Sequence, residues 1–446
     1  MINVKVVVIG GVAAGMSMAS KLKRLDKTID IEVYERGEDL SYGACGMPYF
    51  LSDVIPKESM LIAKTKSDFE ASGITVYTSH NVIGLDEKAK TIKVEHDNKT
   101  WDVHYDVLVI GSGASPIRLP LKHKHLKNIM TLNSLEDGRR LKDVLSNPLI
   151  RNVAIVGGGY IGLEVAENLL EMKKQVRIIE RMDRLLLPFD PFIGEAAKEE
   201  LIRHGAEVHL NEEVQDYQGE ETVHAVKTDK DIYPVDLVIE AVGIRPNTAF
   251  LENSSIKRLK NGAIITNDYL ETNVKDIYAA GDCASYRHIL TNQPTFIALG
   301  THANKAGRVI AERIVGNDER FEGVVGSTVL KVCDLEIAKT GLSEAKLKAA
   351  KMSYQSVSVK AKDKAGYYPN ANRIDITLHY DPDTCQLLGA QMVGKSGVAH
   401  RINTMAIAIT KKLTAKDFSA LDLAYAPPFS PVYDPLQIAT NQIKCK

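Results

Sequence analysis

Apolar β-branched runs and glycine-rich turns alternate along the chain, and the order repeats. Val4–Ile9 (VKVVVI) predicts a strand buried on both faces of a parallel sheet. Gly10-Gly11-Val12-Ala13-Ala14-Gly15 follows and leads into a stretch of helical apolar spacing that runs to Leu25. A second strand is expected over Asp30–Tyr34, closed by Glu35, 20 residues after Gly15. Later the same order returns. Val153–Val156 leads into Gly157-Gly158-Gly159-Tyr160-Ile161-Gly162, then an apolar helix, a strand over Gln175–Ile179, and Glu180, 18 residues after Gly162.

Small residues after a strand let the backbone close on a pyrophosphate. The helix N-terminus offers unpaired amides and a positive dipole end, and the following acid takes ribose hydroxyls. One glycine loop is a weak signal, but two in this context are a strong one. The first loop departs from G-x-G-x-x-G, because Val12 occupies the middle glycine position and crowds the approach. Each half then adds an antiparallel hairpin. Thr91–Glu95 and Thr100–His104 flank Asp97-Asn98-Lys99 and lead through Tyr105–Ile110 to Gly111-Ser112-Gly113. Val223–Lys227 and Ile232–Val235 flank a polar turn and lead through Asp236–Glu240 to Gly243. The first glycines lie 147 residues apart. The expected fold class is α/β, with two Rossmann-like dinucleotide-binding domains. Two such sites suggest one permanent redox cofactor and one exchangeable nicotinamide.

Composition narrows the classes. The 446 residues are 44% hydrophobic and 25% charged, which excludes a disordered or fibrous chain. Lys+Arg 56 against Asp+Glu 57 leaves a formal charge of −1, too little for a whole-molecule field that draws nucleic acid or an anionic membrane. No apolar run reaches the roughly 18 residues needed to span a bilayer, and no leader segment is expected. Five scattered cysteines make no disulfide framework, so a reducing cytoplasm is expected. Cys283, Cys333, Cys385 and Cys445 read as small apolar side chains, Cys283 packed near the cofactor and Cys445 in a frayed tail. Lys122-His123-Lys124-His125 has neither thiol nor carboxylate company and reads as surface, so no metal is expected.

Thr272-Asn273-Val274-Lys275-Asp276-Ile277-Tyr278-Ala279-Ala280-Gly281-Asp282 resembles the second FAD motif of the pyridine nucleotide–disulfide oxidoreductase superfamily. The segment Leu299–Arg308 resembles the helix that follows it there. The resemblance covers the whole chain. It implies an FAD domain at 1–116 and 246–322, an NAD(P)H domain at 117–245, and a C-terminal α+β dimerisation domain at 323–446. For FAD it implies Gly10, Val12, Ala13, Ala14, Gly15, Glu35 and Arg36 of the first unit. Ser112, Gly113, Asp282, Leu299, Gly300 and Thr301 join them from later segments. For NAD(P)H it implies Gly157, Gly159, Gly162, Glu180 and Gly243, with Tyr160 as a gate over the flavin face and Glu164 placing the ring. Glu180 favours NADH, while Arg181 and Arg184 leave room for NADPH.

Ser41-Tyr42-Gly43-Ala44-Cys45-Gly46-Met47-Pro48-Tyr49-Phe50 carries one cysteine where glutathione reductase-like enzymes carry C-x-x-x-x-C, and Phe50 stands at the second position. The segment is similar to the single-cysteine branch, which holds coenzyme A disulfide reductases, NADH oxidases, NADH peroxidases and persulfide reductases. Cys45 must then cycle through a mixed disulfide or a sulfenic acid. Sulfenic-acid members carry a histidine in the first loop where this chain has Ala13, which argues against peroxide chemistry. Leu423-Ala424-Tyr425-Ala426-Pro427-Pro428-Phe429-Ser430 and Gly366-Tyr367-Tyr368-Pro369 resemble coenzyme A disulfide reductase segments. The resemblance implies that Tyr425 and Tyr367 of a homodimer's other subunit assist coenzyme A as it leaves, whereas Tyr368 reads as packing. Ser41 supports the thiolate. Arg24 is the coenzyme A-binding choice among Lys21, Lys23 and Arg24. The leading reading is an FAD-dependent NAD(P)H:coenzyme A-disulfide reductase. The alternatives are an NADH oxidase or peroxidase, a coenzyme A-dependent persulfide or polysulfide reductase, and a flavoprotein sensor.

Overall fold

The structure is a computed structural model that describes residues 4–445. Its first sheet centres on Lys5–Ile9, paired in parallel with Asp30–Tyr34 on one side and Val107–Ile110 on the other. Thr75–Tyr77 and Ile277–Ala279 complete its edges. The second sheet repeats this plan. Asn152–Val156 is central, Gln175–Glu180 and Leu237–Glu240 flank it, and Glu207–Leu210 and Ile129–Met130 form the edges. The central strands are buried because helices cover one face of each sheet and a small antiparallel sheet packs on the other, which explains their uninterrupted apolar sequence. The repeat extends to individual hydrogen bonds. Gly10 N–H donates to Tyr34 at 2.8 Å, and Gly157 N–H donates to Ile179 at 2.9 Å.

Each half carries a three-stranded antiparallel sheet, not a two-stranded hairpin. Asn81–Asp86 pairs with Thr91–His96, and Val214–Gly219 with Val223–Thr228. The pattern hid both added strands, since bulges interrupt their alternation and the first is half exposed. The first hairpin turns on Asp97 and Asn98 alone, with φ of 49° and 59°. This is the left-handed pair that a two-residue turn demands, and it puts Lys99 into the strand.

The C-terminal part is one antiparallel sheet in the spatial order Thr328–Val332, Leu335–Gly341, Leu387–Gly394, Arg373–Tyr380, Gln355–Lys362. Helix Val398–Thr410 covers it. A buried polar group ties this sheet to the second half. His379 Nε2 lies 2.7 Å from Asp190 Oδ2, the Asp190 amide donates to Gln391, and the Glu344 amide donates to Asp190. Here the sequence expectation for two cysteines fails. Cys385 and Cys445 are joined as a disulfide with Cα atoms 5.8 Å apart. They are not isolated apolar side chains, and the tail is not frayed. Helix Pro435–Thr440 packs on the outer strands and turns the tail back over the sheet, contact between distant segments that residue spacing cannot reveal. Among the described residues, no helix is long and apolar enough to cross a membrane.

Candidate active site

The glycine loops have a tight side and an open side. Gly10 and Gly157 hold φ of +102° and +111°, where side chains rarely go. A Cβ on Gly15 or Gly162 would lie 2.0 or 2.3 Å from the carbonyl oxygen of the loop's own first glycine. These glycines let strand, loop and helix close up. Gly159 differs, since nothing lies within 4 Å of its Cβ position. It leaves room beside a helix N-terminus, and half-buried Val12 stands in the matching place of the first loop. Neither residue caps its helix with a side chain, and no acid stands in either first turn. Helices Lys66–Ala71, Leu135–Ser146, Ala415–Ser419 and Pro435–Thr440 all carry capping boxes. The leading amides of the two loop helices thus stay available to an anion.

Glu35 and Glu180 occupy equivalent posts. One oxygen of each accepts a 2.7 Å bond from the second loop glycine, Gly11 or Gly158. The other accepts from Gly37 or Met182 at 2.8 Å. Both acids therefore brace the loop as well as standing where ribose would come. Arg36 is exposed and donates to Ser115 at 3.1 Å, and Ser112 donates to the Asn247 carbonyl at 2.7 Å. Gly113, with φ of +66°, faces open space.

Asp282 emerges where helices Ala13–Leu25 and Gly300–Ile314 cross. A Cβ on neighbouring Gly281 would lie 3.2 Å from Ala14 and 3.8 Å from Ala303. Burial raises its carboxyl above the usual range, and no hydrogen-bond donor opposes that rise. Leu299 precedes the second of these helices without a side-chain cap, Gly300 has open space at its Cβ position, and Thr301 is exposed. A desolvated acceptor and two bare helix starts supply what the hydroxyls and pyrophosphate of FAD require, so the residues present fit that group.

Tyr160 opens the second loop helix, Tyr160–Glu171. Its ring centroid lies 5.9 Å from that of buried Phe189, and burial pushes its phenol up to about 12. Lys339 stands 5.2 Å over the other aromatic ring, so Phe189 is a wall shared by Tyr160 and the C-terminal sheet. Sequence reasoning missed Phe189, because the signal is a contact and not a spacing. Gly243 lies at φ of +119°. Arg181 pairs with Glu213 and Arg184 with Asp183, each at 3.5 Å.

Cys45 sits in a single 3-10 turn, Ala44–Gly46, ahead of the short helix Met47–Leu51. That helix packs between helices Leu135–Ser146 and Tyr160–Glu171. Arg139 clamps the loop on both sides of the cysteine, bonding Glu58 at 2.7 Å and Asp39 at 2.9 Å. Ser41, at φ of 46°, donates its amide to the Gly11 carbonyl at 3.0 Å and so fixes the segment to the first glycine loop. Phe50 is buried in the core under the Lys142 ammonium, 4.0 Å from the ring centroid. Packing thus fills the place of a second thiol. Cys45 is free and exposed, whereas Cys283 is buried and bonds backbone carbonyls.

The surroundings of Cys45 push its thiol upward, first by desolvation and then through the carboxylates of Glu164 and Asp282. The charges of residues expected to serve the nicotinamide and the flavin thus both act on this sulfur. Burial and neighbouring Glu167 push Glu164 up to about 7. Its protonated form is favoured in the folded chain, so its contribution to stability is complete below pH 4.5 and is lost as pH rises through about 7. Glu164→Gln should flatten that dependence. It should also move the pH profile of Cys45 alkylation down by about half a pH unit, because one charge opposing the thiolate is gone. A rate profile with iodoacetamide checks this, and an unmoved or raised midpoint contradicts it.

Tyr367 and Tyr425 hydroxyls lie 3.3 Å apart, and the residues are 77% and 45% exposed. The single chain brings the two phenols to each other, and each is open for a second surface. Lys21 is paired with Glu312 at 2.7 Å, and Lys23 bonds the Ile29 carbonyl at 2.7 Å. Arg24 is exposed.

Residues 4–307 match the description "Pyridine nucleotide-disulphide oxidoreductase", and residues 327–435 match that family's dimerisation domain. The chain belongs to the pyridine nucleotide-disulphide oxidoreductase family and is an enzyme of that class. It is 36% identical over 443 residues to an NAD(P)H coenzyme A polysulfide/persulfide reductase of Pyrococcus horikoshii, covering 99% of this chain and 98% of the relative. It is 34% identical over 432 residues to the coenzyme A disulfide reductase of Staphylococcus aureus strain COL, covering 96% of each. The solved structure of reduced Bacillus anthracis CoADR-RHD aligns with a TM-score of 0.95 at 32% identity, over 99% of this chain and 80% of that one. Family membership implies FAD and NAD(P)H.

Proposed function

We propose that the chain reduces coenzyme A disulfide at Cys45 with NAD(P)H, working as a cytoplasmic homodimer. The carrying observation is a free exposed thiol beside Glu164 and Asp282, with Phe50 packed where a second thiol would stand. In this reading residues 1–116 and 246–322 hold FAD, 117–245 hold NAD(P)H, and 323–446 pair two chains. When bound, FAD and NAD(P)H supply two electrons as hydride chemistry.

The chain's own groups do the rest. The uncapped helix starts at Val12 and Gly159 bind the pyrophosphates, and Asp282 accepts from the flavin's hydroxyls. Tyr160, braced by Phe189, covers the ring face, and Glu164 orients the nicotinamide. Glu180 selects the ribose 2′-hydroxyl of NADH over a 2′-phosphate. Cys45 thiolate attacks one sulfur of the disulfide. It forms Cys45–S–S–CoA and expels one coenzyme A thiolate, which takes a proton from the Tyr425–Tyr367 pair of the other subunit. Two-electron reduction of the mixed disulfide releases the second thiolate and restores Cys45. The sum is one disulfide, one NAD(P)H and one proton in, and two coenzyme A thiols and one NAD(P)+ out. Arg24 meets a coenzyme A phosphate, and Ser41 holds the cysteine segment in register.

Persulfide or polysulfide is the second substrate class, favoured by the name and full-length similarity of the Pyrococcus relative. Peroxide chemistry is disfavoured, because Ala13 provides no imidazole to steady an oxidised sulfur. NAD(P)H consumption should be followed with coenzyme A disulfide, polysulfide, oxygen and peroxide supplied in turn. Fastest turnover with the disulfide is expected. Turnover with peroxide or oxygen alone overturns the reading.

A further inference from the structure

The disulfide between Cys385 and Cys445 plays no part in the proposed cycle. Cys385 occupies the turn between strands Arg373–Tyr380 and Leu387–Gly394, and Cys445 follows helix Pro435–Thr440 near the chain end. Sixty positions separate them, and the segment that bears Tyr425 lies inside that span. Between Ala420 and Asp434 this segment has no regular element, and its Phe429 is 78% exposed. Its side-chain anchors are few. Arg401 bonds the Phe429 carbonyl at 3.3 Å and Asp434 at 2.8 Å, and Gln437 bonds the Leu421 carbonyl at 2.9 Å. Cys385, Ile443 and Leu423 all pack on one apolar core. The bond thus closes the tail over the core that also seats Leu423, two residues before Tyr425.

We propose that Cys385 and Cys445 form a reversible thiol–disulfide clip, a modification site that sets how firmly the Tyr425 segment is held and that exchanges with low-molecular-weight thiols and disulfides. Both residues are half-buried and not sealed in the core, so an exchange partner can reach them. Disulfides in reducing compartments usually serve as transient redox devices and not as permanent staples. The closing step balances. One thiolate of the pair attacks a low-molecular-weight disulfide and expels one thiolate. The other cysteine then attacks the mixed disulfide and expels the second. Two cysteine thiols become one disulfide, and the small disulfide becomes two thiols that carry both protons. Opening is the reverse, with the small thiol as reductant. The choice of coenzyme A disulfide as oxidant and the reducing compartment both rest on the function proposed above.

The test uses full-length Cys45→Ser protein loaded with FAD, which cannot consume the oxidant through the proposed cycle. It is treated with a phosphine reductant, then with coenzyme A disulfide or glutathione disulfide. Free thiols are alkylated and the peptides weighed. Cys385 and Cys445 should both label after reduction, and should both escape labelling, as one cross-linked peptide, after either oxidant. In the same Cys45→Ser protein, hydrogen exchange at 420–434 should slow at least about fivefold on closing, while exchange at 160–171 stays unchanged. Cys385→Ser should match the reduced protein in either buffer. Independent labelling of the two cysteines, a stable small-molecule adduct on one of them, a link that survives excess reductant, or equal exchange in both states overturns the proposal. Closure by glutathione disulfide in an enzyme that fails to turn over coenzyme A disulfide keeps the clip and discards only the substrate.

Discussion

Cys45→Ser should lower disulfide-dependent NAD(P)H oxidation at least about a thousandfold while the purified protein stays yellow and folded. The size follows from the chemistry. Serine at neutral pH is almost wholly un-ionised and makes no bond to sulfur that the next electron pair can cleave. Neither neighbouring candidate offers a replacement sulfur, because Phe50 fills the second site and Cys283 is buried against the Ile110 and Ala280 carbonyls. Cofactor retention should survive, since the loops at Gly10 and Gly157 and the carboxylate of Asp282 lie on other elements. Steady-state rates and the flavin absorbance spectrum check both halves. Residual turnover above about a hundredth would mean that the attacking sulfur lies elsewhere.

Mixing two dead enzymes should restore about a quarter of the wild-type rate, if tyrosines act across a twofold interface. One parent is Cys45→Ser, and the other carries Tyr367→Phe with Tyr425→Phe. After dissociation and random reassociation, about half the dimers are mixed. Each mixed dimer owns one site in which an intact cysteine meets intact tyrosines, so about one site in four works. The double phenylalanine parent should lose about a hundredfold, the usual worth of a positioned general acid. If the tyrosines act within their own chain, every mixed site lacks one partner and no rate returns. Surface exposure of both phenols, joined only to each other, is the feature that motivates the experiment.

Much of this is readable in the sequence. Continuous apolar runs followed by small residues and a spaced acid describe a strand, a tight turn and a helix, all of which depend on neighbours in sequence. Which of these glycines are close-packed, Gly15 and Gly162, and which is open, Gly159, came from the folded loops and not from the spacing. The single-cysteine segment set Cys45 apart as the candidate reacting sulfur. The first strand of each small sheet was not readable, since a bulge breaks the alternation that marks a strand. Phe189 and Arg139 were missed for a different reason, as both matter through contacts across more than 25 positions of chain.

The sequence by itself determined the two dinucleotide halves, the single-cysteine segment and the family that unites them, because local order carries each of those signals. Only the tertiary structure decided that Glu164, Asp282 and Cys45 share one neighbourhood, and that the tail returns to bond Cys385. Electrostatic coupling and covalent cross-links depend on distance in space, and a folded chain sets that distance through long-range packing that no stretch of residues contains.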